Sequence, residues 1–140
     1  MAKVKRVSKP KNKGKVNEKA LEAKDTIDYF TKTPVFKFTS VDPNKWVLWE
    51  WTSEELKLLI DCFKKMEQLS WYGIQKHTGL RLKMLDIDPP AYLSKDIDIY
   101  EIRVSKEQRI HGYINKNEFN IVWFDRDHTV CPERKVRRYG

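Results

Sequence analysis

The stretch "FNIVWFDRDHTVCP" (119–132) runs through an apolar segment and stops in Asp125, Arg126, Asp127 and His128. Two carboxylates and an imidazole this close together are the donor types that hold a hard divalent ion in metal-assisted nucleases. A single D-x-D-H with no second acidic cluster is a thin ligand set, and no metal or cofactor is expected. The same residues suit a turn after a strand, with the aspartates in turn conformations and His128 bonded to nearby backbone. A second group with chemical potential lies in "RIHGYI", where Arg109 and His111 are two positions apart and share one face of a strand. There Arg109 can also serve as a cross-strand ion-pair partner of Glu101 or Glu107. Walker, GxGxxG, GxSxG, HExxH and paired-cysteine motifs are absent, as is the aromatic signature of an RRM strand.

Charge narrows the class of partner. The chain of 140 residues carries a formal net charge of +8, and residues 1–24 hold nine Lys or Arg against two Glu. That segment has no aromatic residue and almost no large apolar one, so it buries too little to offset the entropy of ordering. Residues 1–32 are read as a basic flexible tail. Its Lys3, Lys5 and Arg6 are candidates for touching nucleic-acid phosphates, and a merely solubilising extension is the alternative. The tail lacks the apolar core of a signal peptide, and no stretch approaches the ~20 apolar residues of a membrane span. Cys62 and Cys131 are far apart and outside any CxxC, which suits free thiols in a cytoplasmic protein.

The remaining residues must supply the elements that position these groups. Residues 35–41 alternate as a half-buried strand, and Asp42, Pro43 and Asn44 signal a turn. Trp46, Trp49 and Trp51 follow and are read as core packing. A helix begins at Thr52, with Glu55 completing a capping box and Leu56, Leu59, Ile60, Phe63 and Met66 forming its apolar stripe. Lys57, Lys64 and Lys65 then face water. A shorter helix runs from the N-cap Ser70 to a stop at Gly79, and its His77 is explained by the helix dipole. Residues 81–95 resist assignment, because Pro89 and Pro90 forbid a continuous element. Residues 97–104, 109–114 and 119–124 read as three strands of an antiparallel meander. The fold class is α+β, a helical hairpin packed on an antiparallel sheet in the order β-α-α-β-β-β, with a domain at 33–132 and a basic C-terminal tail at 133–140.

This element order resembles the RelE/ParE-like toxin superfamily, whose enzymatic members are small ribosome-dependent mRNA endonucleases. The pattern "R-[ILV]-x-G" is matched by Arg109, Ile110 and Gly112. The pattern "[FL]-x-[IVL]-[LV]-[WF]-x-D-x-x-H" is matched by Phe119, Ile121, Val122, Trp123, Asp125 and His128. The resemblance implies metal-independent RNA cleavage, with Arg109 as a phosphate clamp, His128 as an acid or base, and Glu101 on the preceding strand as a third catalytic group. Arg126 and the terminal "ERKVRRYG" segment, with Arg134, Lys135, Arg137, Arg138 and Tyr139, would bind RNA. It further implies RNA or the ribosome as partner, and an acidic antitoxin that covers the basic site. A non-catalytic nucleic-acid- or protein-binding module of the same fold is the alternative.

Overall fold

In the computed structural model, which describes residues 27–131, a short 3₁₀ turn at Tyr29–Thr31 precedes β1 (Val35–Lys37). A second 3₁₀ turn at Leu48–Glu50 leads into α1 (Ser53–Glu67) and α2 (Trp71–Lys76). The chain then forms β2 (Lys83–Met84), β3 (Tyr100–Arg103), β4 (Arg109–Asn115) and β5 (Glu118–Asp125). The class is mixed α+β with a single five-stranded sheet in the order β1-β5-β4-β3-β2.

Two features depart from the reading of the sequence. A fifth strand, β2, comes from the unassigned region and pairs antiparallel with β3. The sheet is also mixed rather than antiparallel, because β1 runs parallel to β5, with Phe36 opposite Phe119. The meander of β3, β4 and β5 is antiparallel throughout. Past β1, the Asp42 amide donates to the Val122 carbonyl (2.9 Å) and the Phe124 amide to the Trp46 carbonyl (2.8 Å), so the chain continues along the outer edge of β5.

Thr52 caps α1 as its sequence requires. Its hydroxyl accepts from the Glu55 amide and the Glu55 carboxylate accepts from the Thr52 amide. The buried stripe of α1 is Leu59, Cys62 and Met66. Ile60, expected in that stripe, is 54% exposed. The predicted surface lysines Lys57, Lys64 and Lys65 are exposed. Helix α2 starts at its Ser70 cap but ends at His77 in extended backbone, before Gly79. The His77 Nδ1 accepts from the Gly79 and Leu80 amides, a local bond that stops the helix. Residues 28–32, assigned to the tail, dock on α2. The Tyr72 hydroxyl donates to Asp28 (2.9 Å), and the Trp71 amide donates to the Lys32 carbonyl (3.1 Å).

The sheet has a core on each face. The helices pack with Ile102, Ile110, Phe119, Ile121 and Phe124, while Ile99, Val122 and Trp123 pack with Leu85 and Cys131 on the opposite face. A bulge allows β5 to serve both. His111 pairs with Trp123 and Gly112 with Ile121, which leaves Val122 as the extra residue. Phe119, Ile121 and Phe124 therefore share a face although their spacing breaks the period of two. The three tryptophans after the turn divide: Trp51 is buried, Trp46 is half-buried and Trp49 is 70% exposed.

Candidate functional site

The pleat of the three central strands places Glu101, His111 and Trp123 in one cross-strand row, on the face turned away from the helices. Arg109 lies two positions from His111 on that face and pairs with Arg103 and Asp125. Lys83 of β2 stands opposite Glu101. The result is a cluster centred on the Glu101 carboxylate. His111 Nε2 lies 3.0 Å from Oε1 and His128 Nε2 lies 3.7 Å from the same oxygen. Lys83 Nζ is 3.5 Å and Arg109 Nε 3.7 Å from Oε2. The three residues assigned catalytic roles by resemblance, Arg109, His128 and Glu101, are thus brought together from two strands and a loop.

Their exposure separates the roles they can take. The side chains of Glu101 and His111 are 2% and 0% exposed, whereas those of His128 and Lys83 are 14% and 27% exposed. Arg109 is buried as well, and its Nη1 donates to the carbonyls of Ser105, Lys106 and Gln108 in the turn between β3 and β4. An arginine held this way braces the turn and neutralises Glu101, and it is not poised as an exposed phosphate clamp. Arg126 is directed elsewhere too. Its Nε donates to the capping-box Glu55 (2.7 Å), tying the loop after β5 to the start of α1.

Asp125 shapes the loop that delivers His128. Its carboxylate accepts from the Thr129 amide (2.9 Å) and the Val130 amide (2.8 Å), and the side chain is fully buried. The alternative divalent-ion set of Asp125, Asp127 and His128 is not assembled among the described residues, since the Asp125 oxygens serve the backbone of their own loop. His128 itself sits at φ 59°, in the left-handed region that is uncommon outside glycine but that histidine enters more readily than most residues. Its Nε2 is buried toward Glu101 without a hydrogen bond, and His111 Nδ1 is likewise buried and unbonded.

Electrostatics set the protonation of the cluster. Burial alone would raise the Glu101 carboxyl, but the His111 hydrogen bond and the charges of His111, Lys83 and His128 outweigh it and hold it below the ordinary value. His128 is pushed down by burial and then by the Arg109 and Lys83 charges, against the opposing pull of Glu101 and Asp125. Both shifts have the same sign for stability. A group held below its unfolded value binds its proton more weakly when folded, so its contribution is lost as pH falls. For His128 the loss begins below about pH 6.5, and for Glu101 below about pH 4.5. The thermal midpoint is expected to fall between pH 7 and 5, and His128→Gln should flatten that part of the curve. Calorimetry showing equal slopes for both proteins would remove His128 as the cause.

Lys83 carries no assignment from the sequence, and His111 only that of a residue able to join the Arg109 site. Lys83 lies in the unassigned region, although "LRLKML" alternates apolar and polar residues as a short strand does. His111 shares its face with Arg109, and its link to Glu101 depends on the β3–β4 register. The basic residues Lys3, Lys5, Arg6, Arg134, Lys135, Arg137 and Arg138 lie outside the described residues. Among the described residues no helix is long and apolar enough to cross a membrane. No protein-family model, curated protein or solved structure matches the chain, so the functional reading stands on the geometry of this cluster.

Proposed function

We propose that the chain is a RelE/ParE-like toxin-type protein that cleaves mRNA on the ribosome without a metal, with the Glu101 cluster as its centre. The observation that carries this reading is the convergence of two histidines and two cationic side chains on one buried carboxylate. The Glu101 carboxylate lies 3.7 Å from the inner edge of the His128 ring, where its charge can orient the base as a third group does in many hydrolytic sites. His128, kept neutral near pH 7, takes the 2′-hydroxyl proton. The 2′-oxygen then attacks the adjacent phosphorus, and the 5′-oxygen departs with a proton from Lys83, which also offsets charge on the phosphate. Arg109 and His111 are positioning residues that fix Glu101. The basic termini would add RNA affinity and attract an acidic antitoxin.

Induced expression in bacteria, with growth and mRNA 5′ ends followed together, tests the reading. Growth arrest with codon-phased cleavage is expected, together with a loss of about 10²–10⁴ in cleavage rate for His128→Gln and Lys83→Ala at little cost in thermal midpoint. Intact mRNA from soluble, folded protein would instead favour the non-catalytic binding module. The near-complete burial of Glu101 and His111, which a purely structural ion cluster also shows, is the observation behind that second reading.

A further inference from the structure

Trp123 has two sides. One edge meets His111, with ring centroids 6.1 Å apart, and Trp46 packs against it at 5.1 Å. Beyond Trp123 opens a pocket of about 510 Å³, walled by Trp46, Trp123, Tyr92 and Pro90, with Asp42, Lys45 and Asp88 among its polar groups. That volume suits a small organic ligand, and its lining joins flat rings to a few placed polar groups.

The walls are held in place by bonds within the fold. Trp46 lies at φ 50°, a conformation that is costly for a bulky side chain. It is retained by the Phe124 amide on its carbonyl and by its own Nε1 donating to Thr129 Oγ1 (2.8 Å). The Trp123 indole donates to Asp42 (3.2 Å). Tyr92 donates its hydroxyl to the Ser40 carbonyl (2.7 Å) while the residue remains 53% exposed. Asp42 also accepts from the Asn44 and Lys45 amides, so its oxygens are already engaged within the fold. Asp88 and Lys45 stand as opposite charges among the remaining polar groups. A pocket with aromatic walls, whose buried carboxylate is already engaged, offers a planar heterocycle faces to stack on.

We infer that this pocket receives a nucleobase of a single-stranded RNA, stacked against its aromatic walls. Trp123 lies two strands from Glu101, about 10 Å across the sheet, so the base belongs to a nucleotide near the one presented to His128 and Lys83. Unstacked RNA bases are recognised in this way, by aromatic faces and by polar groups at their edges. The inference deepens the nuclease reading and rests on it for the strand being RNA.

Titration calorimetry of the full chain with the four ribonucleosides, ribose 5-phosphate and N-acetylarginine amide provides the test. At least one nucleoside is expected to bind and ribose 5-phosphate is not, and Tyr92→Ala should weaken nucleoside binding about ten-fold. Trp49→Ala removes an exposed tryptophan outside the pocket lining and should change nothing. Preference for the arginine amide, equal binding of ribose 5-phosphate, or an unaltered affinity in Tyr92→Ala would each overturn the assignment, as would the absence of nucleoside binding at millimolar concentration. The two readings fail separately. Nucleoside binding sensitive to Tyr92→Ala in a chain that leaves mRNA intact keeps the pocket and removes the nuclease, while cleavage without such binding does the reverse.

Discussion

Glu101→Ala is expected to lower the free energy of unfolding by about 3–5 kcal/mol near neutral pH, the cost of breaking a buried ion cluster by removing one partner. Nothing else in the cluster replaces the carboxylate. Arg109 would keep its charge beside an emptied site, and the His111 Nε2 would lose the acceptor 3.0 Å away. Both groups lie too deep for water to compensate them fully, and an unsatisfied buried group bears its own desolvation cost. Glu101→Gln retains an acceptor of similar shape and should cost less than the alanine. The loss should also be smaller at pH 8 than at pH 6, because His128, already held below its ordinary value, is then uncharged and does not need the carboxylate. Urea unfolding of the three proteins at the two pH values gives the comparison. A loss under ~1 kcal/mol in the alanine variant would mean that the cluster contributes little beyond its geometry.

Gly112→Ala should be as damaging, for a steric reason. A Cβ at Gly112 would stand 2.3 Å from the Asn120 carbonyl oxygen and 3.0 Å from its carbon, with the Ile121 Cα at 3.1 Å. All three are backbone atoms of the neighbouring strand, so no rotamer change relieves the clash. Gly112 does not have a positive φ, and the requirement is therefore for space alone. The bulge that draws β5 close to β4 creates it. The expected cost is about 3 kcal/mol, the upper part of the range for overpacking. Gly73→Ala is a matched control, since its nearest neighbours are Leu69 side-chain atoms at 3.4 Å and alanine is the better helix former. Unfolding midpoints of the two variants should move in opposite directions. Equal small shifts would show that β4 and β5 can separate at the bulge.

The same glycine shows what was legible in advance. The motif "R-I-x-G" is readable as letters, and its last letter gains a physical meaning only with the bulge, which no periodicity encodes. Helix α1 was readable because Thr52 and Glu55 define its start locally, and the meander because its turns are short. Ile60 was misplaced because it lies beside the stripe in sequence, whereas Cys62 fills the buried face. The parallel pairing of β1 with β5 could not be read, since alternation identifies a strand without naming its neighbour. For the site, residue types and the last strand pointed toward Arg109 and His128, but their centre at Glu101 depends on register. Lys83 was hidden by the brevity of β2 and the prolines that follow it.

The sheet order also has a consequence for how the protein is made. β5 is the last strand of the described chain, yet it sits between β1 and β4 and supplies side chains to both cores. While the ribosome is still upstream of residue 118, β1 has no strand to pair with, and the apolar faces of α1 and α2 have only part of their sheet. Such distant pairing closes late and leaves greasy surface open in the interval. His128 follows β5 and needs its loop, so the cluster is assembled after the rest of the scaffold has been synthesised. A nascent chain therefore completes the Glu101 cluster only after β5 and the loop that carries His128 have been synthesised.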